Sequence, residues 1–467
     1  MFVNELKSAS RWFATGLLVA CTWGTALPTA TAEQLVLDVG ASNPTMLADE
    51  KQTNFIRISL TGFDVPESQS RPPVNTAIVI DQSGSMGGHK IDQARNAAIE
   101  AVRRLKDDDI VSIVLYSDSA TVLVPATKAT DRESIIEKIQ SVKAGGSTAL
   151  FAGVSKGAAE VRKFLDSDSV NRVILLSDGQ ANVGPKSPRE LEQLGASLVK
   201  EGISVSTLGL GLGYNEDLMS RLAAAGSGNH LFVKQAADLV AVFQQEFNDL
   251  MSVVATDFEI HAKIGEGIRP VRVLNTKADI SGQDIYIPLA QLYARQQRYF
   301  VIEVEVDPGQ SGSKRAMADV TISYQNMLSK TTDKLSSNIE VRFSDDAKLV
   351  EKNRDKETYA FCAIQIANEK NVRATALRDA GKVKEAQDLL RANCETLEKV
   401  ESDYGVWLDV ELVKEVKRNA LLNRDQSLII QDPTKWNYSR KAMRYEQTNN
   451  AAQQQYRVDA PETAKSK

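Results

Sequence analysis

The chain is poor in the side chains that bind soft metals. Among 467 residues it has three cysteines (Cys21, Cys362, Cys394) and three histidines (His89, His230, His261). None of these six stands in a ligand-like cluster, which argues against a zinc site of the His/Cys kind. Three cysteines are also too few for a disulfide scaffold. Basic charge is not in excess: 56 Lys and Arg stand against 61 Asp and Glu, a formal charge of −5. A dedicated nucleic-acid binder carries the opposite balance. After residue 32 no apolar run is long enough to span a bilayer. A Walker A lysine motif is missing, as is a glycine-flanked nucleophile elbow with a histidine to serve it. What remains is 42% hydrophobic and 25% charged, an ordinary soluble composition, with length for about three domains.

The first 32 residues read as an export signal. Lys7 and Arg11 precede an apolar run from Trp12 to about Leu27, and small residues follow as far as Ala32. Within the run, Leu18-Val19-Ala20-Cys21 resembles the lipobox of bacterial lipoproteins. Two outcomes stay open: lipidation of Cys21 with a short tether behind it, or ordinary cleavage near Ala32. The expected location is the periplasm or cell envelope, lipid-anchored or not, with secretion as the alternative.

Beyond the signal the rhythm changes three times. Leu35, Leu37 and Val39, then Ile56, Ile58 and Leu60, alternate with period two and predict strands over 33–70, closed by a Pro-rich linker. Over 75–253, continuous apolar runs such as Thr76–Ile80 and Val173–Leu176 alternate with amphipathic helices near 90–105, 131–142, 149–165, 187–201 and 215–224. Such runs suit strands buried on both faces of a parallel sheet. Over 254–345 period two returns: Phe258, Ile260, Ala262 and Ile264 share a face, as do Phe300, Ile302, Val304 and Val306. This predicts an antiparallel sandwich. The isolated early strands have no sheet of their own, so they are assigned to it, with the α/β unit inserted between. Residues 346–423 show helical spacing around a turn at Asp379–Lys382, which predicts a helical hairpin. Residues 424–467 are polar, with Gln and Asn enriched at 447–455, and read as a mostly disordered tail.

The chemistry concentrates in Asp81-Gln82-Ser83-Gly84-Ser85, at the carboxyl end of the first α/β strand. The D-x-S-x-S spacing puts three oxygen-bearing side chains on one tight loop, where open α/β sheets bind ligands. Gly145-Gly146-Ser147-Thr148 precedes a helix, and Ser177-Asp178-Gly179 ends another apolar strand. These residues, in this order, resemble the metal-ion-dependent adhesion site of the von Willebrand factor type A domain. The resemblance implies that Ser83, Ser85 and Thr148 hold a cation directly, with Asp81 and Asp178 acting mostly through water. It also implies a Rossmann-like α/β fold and a partner that supplies an Asp or Glu carboxylate. Hydroxyl and carboxylate oxygens suit a hard divalent cation, Mg²⁺ before Mn²⁺ or Ca²⁺. Asp178–Gly184, Gly211–Leu218, Gly267–Leu274 and Gln365–Glu369 resemble a bacterial subgroup labelled calcium-activated chloride channel homologues. The plan of domain and sandwich is similar to that of inter-alpha-trypsin inhibitor heavy chains.

Other features read as ordinary. Gly209-Leu210-Gly211-Leu212-Gly213 follows a strand, but its spacing and its place late in the sheet do not fit a dinucleotide loop. Asp107-Asp108-Asp109 reads as a solvated helix end. His230 and His261 fall in strand-like contexts. Cys362 and Cys394 would lie on adjacent helices at an offset of about 6 Å, which leaves their pairing open. The whole reads as an exported, non-enzymatic, cation-dependent binding protein. The alternative is an envelope scaffold or assembly factor whose metal is mainly structural.

Overall fold

The computed structural model describes residues 34–65 and 71–454. The export segment with Cys21, and the last residues of the tail, lie outside the described residues. Three strands open the described chain: β1 (Val36–Ala41), β2 (Thr45–Leu47) and β3 (Gln52–Thr61). β1 and β3 pair antiparallel, Val39 opposite Ile58 and Ala41 opposite Ile56.

The α/β unit follows as β4 (Val74–Asp81), α1 (His89–Arg103), β5 (Ile110–Tyr116), β6 (Ala120–Lys128), α2 (Arg132–Gln140), α3 (Leu150–Val161), β7 (Val170–Ser177), α4 (Pro188–Val199), β8 (Ser204–Leu210), α5 (Glu216–Ala225), β9 (Ser227–Val233) and α6 (Leu239–Met251). The strands form one sheet in the order β6-β5-β4-β7-β8-β9. It is parallel except for the antiparallel edge strand β6. Every residue of β4 and β7 is buried, because helices cover both faces of the sheet. Side chains cap α2, α4 and α5: Asp131 caps α2, Asn215 caps α5, and Ser187 with Glu190 forms a reciprocal capping box on α4. The chain turns to β5 on one side of β4 and to β7 on the other. The order therefore reverses at β4, and the switch point lies beyond its carboxyl end, at Asp81.

After α6 the chain returns to antiparallel structure: β10 (Val253–Ile264), β11 (Ile268–Val273), β12 (Asp279–Ser281), β13 (Asp284–Ile287), β14 (Gln291–Tyr293), β15 (Gln297–Val306), β16 (Lys314–Asn326) and β17 (Thr331–Ser344). One sheet runs β1-β3-β15-β11, the other β12-β13-β10-β16-β17-β2, with β14 on β10. Their inner faces share one core, in which Ile56, Ile58, Phe300 and Ile302 meet Ile260, Val320, Ile322 and Val341. The early strands thus complete the later sandwich, and the α/β unit leaves it after β3 and rejoins it at β10. β2, which period two did not reveal, pairs in parallel with the end of β17.

The C-terminal region differs from the single hairpin and disordered tail expected over 346–423 and 424–467. A short helix α7 (Ala347–Lys352) is followed by four long ones: α8 (Lys356–Asp379), α9 (Val383–Tyr404), α10 (Val410–Ile429) and α11 (Trp436–Ala452). Of the amides that suggested disorder, Gln447, Asn449, Gln453 and Gln454 are buried. Gln447 Nε2 donates to Asn371 Oδ1 and Thr375 Oγ1, both at 2.8 Å. Asn371 Nδ2 donates to Asn423 Oδ1 at 3.1 Å and to Gln426 Oε1 at 2.6 Å. Asn393 Nδ2 reaches Asn423 Oδ1 and the Ala367 carbonyl. Polar side chains can fill a core when their donors and acceptors satisfy one another. Cys362 and Cys394 are both buried, unpaired thiols. Asp109 is a second correction: it is not solvated but fully buried, gripped by the Arg71 guanidinium and by the Val74 and Lys106 amides.

Candidate metal centre

Three loops at the carboxyl ends of β4 and β7 and ahead of α3 bring the predicted residues together. The first carries Asp81, Ser83 and Ser85. Asp81 Oδ1 accepts from the Ser83 amide at 2.8 Å, and Oδ2 from the Ser177 hydroxyl at 2.9 Å. This tight turn aims the serine hydroxyls at one point: Ser83 Oγ and Ser85 Oγ are 3.0 Å apart. Ser85 Oγ then donates to Asp178 Oδ1 at 2.6 Å. Thr148 enters from the third loop. A Cβ placed on Gly179 would stand 3.4 Å from both Ser85 Oγ and Thr148 Oγ1, so those hydroxyls flank the same glycine.

Backbone hydrogen bonds lock the loops to one another. The Gly84 amide donates to the Gly146 carbonyl at 2.9 Å, and the Gly145 amide to the Gln82 carbonyl at 2.6 Å. Gly146 has φ +89°, and a Cβ there would meet Asp118 Oδ2 at 2.8 Å, so only glycine fits. Asp118 Oδ1 accepts from the Ser147 amide, and the Ser147 contacts hold the Asp118 carboxyl below its ordinary value. Asn182 grips Thr148 from both sides: its Oδ1 accepts from the Thr148 amide, and its amide donates to the Thr148 carbonyl.

Asp81, Ser83, Thr148 and Asp178 are buried, whereas Ser85 is exposed. The centre is therefore a dry floor with one open edge. Burial raises the Asp81 carboxyl above its usual value, and the nearby Asp178 charge adds to the rise, against hydrogen bonds from Ser83 and Ser177 that lower it. Two carboxylates so close in a dry site favour a cation between them. The donors fit a small hard one. Ligand oxygens about 2.1 Å from Mg²⁺ in an octahedron stand about 3 Å from their neighbours, and the serine pair is 3.0 Å apart.

Asp118 and Lys90 escaped the sequence reading, and Ser177 and Asn182 stood inside its motifs without a role. The Lys90 ammonium pairs with Asp178 Oδ2. Its place at the start of α1, just behind the D-x-S-x-S loop, was the only available signal. Gly209 and Gly213 serve packing, whereas Gly211 takes a left-handed turn with φ +72° and has open space around it. A Cβ at Gly209 would strike the Tyr214 ring, and one at Gly213 would stand 2.7 Å from the Asp178 carbonyl. Thus Asp178–Gly184 and Gly211–Leu218, two of the stretches with the subgroup resemblance, press against each other. The other two also meet: Arg272 pairs with Glu369, and Asn275, the residue after the first stretch, donates from Nδ2 to Gln365 Oε1 at 2.7 Å.

Residues 75–246 match the family model of the von Willebrand factor type A domain. Domains of this family commonly bind divalent cations and generally mediate protein–protein interactions. The chain is 26% identical over 279 residues to the uncharacterized protein sll0103 of Synechocystis sp., covering 57% of this chain and 65% of that one. It is 24% identical over 313 residues to the uncharacterized protein YfbK of Escherichia coli, covering 66% and 50%. It therefore spans less than two thirds of either relative's length. The human inter-alpha-trypsin inhibitor heavy chain H4 is 28% identical over 43% of this chain and 23% of its own. Among solved structures, a von Willebrand factor type A protein from Catenulispora acidiphila superposes with TM-score 0.68 at 16% identity, covering 91% of this chain and 97% of that one. Residues 75–246 thus match the von Willebrand factor type A domain, in a chain similar to the two bacterial proteins and distantly to the inter-alpha-trypsin inhibitor heavy chains.

Proposed function

We propose that this is an exported, non-enzymatic binding protein that captures an Asp or Glu carboxylate of a protein partner through a divalent cation. Ser83, Ser85 and Thr148 would hold the ion, and Asp81 and Asp178 would neutralise it, mostly through water. The single observation that carries the reading is the convergence of three hydroxyls and two carboxylates on one point with an exposed edge at Ser85. Mg²⁺ suits this donor set best, with Mn²⁺ and Ca²⁺ as alternatives. When bound, the ion supplies an electrophilic point that accepts one more oxygen. The protein's own part is to keep the oxygens pre-aligned and mostly neutral, so that the ion's charge is left for the partner. Export rests on the basic, apolar and small-residue pattern before Ala32, and a lipid anchor on Cys21. The subgroup resemblance adds pairs of contacting stretches and no channel chemistry.

Titration of Mg²⁺ and Mn²⁺ into native protein and Asp81→Ala tests the centre. Native protein should bind and the variant should lose at least tenfold in affinity, about 1.4 kcal/mol. Equal affinities would sink the claim. A scaffold whose metal only stabilises the fold is the second reading. The domain's contacts with the sandwich, through Arg172 and Tyr293, and with the bundle, through Glu216 and Lys441, favour it. Chelation separates the two, because it should abolish partner capture in the first case and leave envelope association intact in the second.

A further inference from the structure

The charge on Asp178 is already answered from within the chain. Its side chain is 0% exposed, while that of Lys90 is 38% exposed. The Lys90 ammonium pairs with Asp178 Oδ2 and also donates to the Ser85 carbonyl at 3.2 Å. Asp178 Oδ1 takes the Ser85 hydroxyl. Asp81, by contrast, is held by an amide and a hydroxyl, both neutral. The Lys90 ammonium is thus placed on one carboxylate of the two. Its placement comes from the loop: Gly87 and Gly88, the latter with φ +73°, turn the chain so that the first turn of α1 faces back over Ser85.

We propose that Lys90 is the resident counter-ion of Asp178, and that a divalent cation enters the centre by displacing it. This rests on the reading of the site as a cation centre. A buried carboxylate without a partner is costly, so an ammonium stabilises the cation-free state. The incoming ion draws on the same oxygens, those of Asp178 and Ser85. An ammonium and a divalent ion crowded on one carboxylate repel each other. Lys90 is the member free to move, since its stem is flexible and partly in water. Loading and release of the cation are then an exchange of one positive group for another, which lowers the apparent affinity and keeps the empty domain folded.

The test uses the full chain with Mn²⁺ as probe, followed by electron paramagnetic resonance and calorimetry. Lys90→Met and Lys90→Gln should bind Mn²⁺ about fivefold more tightly than native protein, a gain of the size of one partly exposed ion pair. The gain should persist in 0.5 M salt, where the Debye length is roughly 4 Å. If salt erased it, general repulsion and not displacement would be the cause. In chelator, Lys90→Met should unfold at a lower temperature than native protein, and saturating Mn²⁺ should remove that deficit. In the native chain, the Lys90 ammonium resonance should shift on Mg²⁺ addition, a readout that does not depend on any variant folding. Unchanged affinity in both variants, or an unmoved resonance while Mg²⁺ binds, would overturn the role of Lys90 and leave the centre standing. No Mn²⁺ binding by native protein would overturn both.

Discussion

His230 lies on β9, fully buried beside Thr207 of β8. Thr207 Oγ1 donates to the Met219 carbonyl at 3.1 Å, so its only hydrogen is committed. His230 Nδ1, 2.9 Å away, must then be the donor of that pair. Nε2 has no hydrogen-bond partner, so a proton there would be a buried charge. Burial lowers the imidazole to about 4, and the Lys441 charge pushes the same way against Glu216. The sign follows: the unfolded chain takes up the proton near pH 6.5 and the folded chain only near 4, so stability present above 6.5 is lost as pH falls across that window. Denaturant unfolding at pH 7 and pH 4.5 should show about 2–3 kcal/mol more loss in native protein than in His230→Gln. An identical loss in both would refute this origin. At the same scale, Asp81, Ser83, Ser85, Thr148 and Asp178 were legible because their spacing and place after buried strands are local facts. Lys90 and Asn182 were not, because each is defined by what it touches across loops.

The element most changed by the structure is α11. Its composition reads as a polar tail, and its inward face carries Ser439, Lys441, Gln447 and Asn449 around Met443 rather than a stripe of apolar residues. Periodicity of hydrophobicity could not detect it, because most of the buried side is polar and held by hydrogen bonds and ion pairs. Its first half docks on the start of α5. Lys441, 3% exposed, donates to Glu216 Oε2 at 2.5 Å and to the Tyr214 carbonyl at 2.9 Å. Arg440 joins Glu216, Asp217 and Asp379, and Arg444 reaches Asp217 at 2.8 Å. These ammonium and guanidinium groups hold the Glu216 and Asp217 carboxyls below their ordinary values despite burial. Removing one partner of such a buried pair leaves the other uncompensated. Lys441→Met should cost about 3 kcal/mol in denaturant unfolding and speed hydrogen exchange along α11 before the α/β domain opens. Unchanged exchange in α11 would count against the docking role. Because Gly213 backs onto the Asp178 carbonyl, the same loop that receives α11 also walls the candidate centre.

At the scale of the whole molecule, a second cluster fastens the domain to the sandwich. Arg172 on β7 and Glu246 on α6 form an ion pair with both side chains at 0% exposure. Arg172 also donates to Ser204 Oγ at 3.0 Å and to the Tyr293 hydroxyl at 3.0 Å, and Tyr293 belongs to the sandwich strand β14. Glu246 in turn accepts from Asn229. Arg172→Leu should cost on the order of 3–5 kcal/mol and split one calorimetric unfolding transition into two. A single transition at the native temperature would rule the clamp out. The sequence by itself determined the local physics: which runs are buried strands, where period two returns, and which loop oxygens follow β4 and β7. These depend on neighbours a few residues apart. The insertion could be inferred because the early strands had no local partner. Only the tertiary structure decided how Lys90 answers Asp178, how the Asn and Gln side chains of α8 to α11 fill a core, and how Arg172 joins two domains. Those outcomes depend on polar groups finding partners far along the chain, and a polar residue read alone gives no sign of whether its partner will be water or protein.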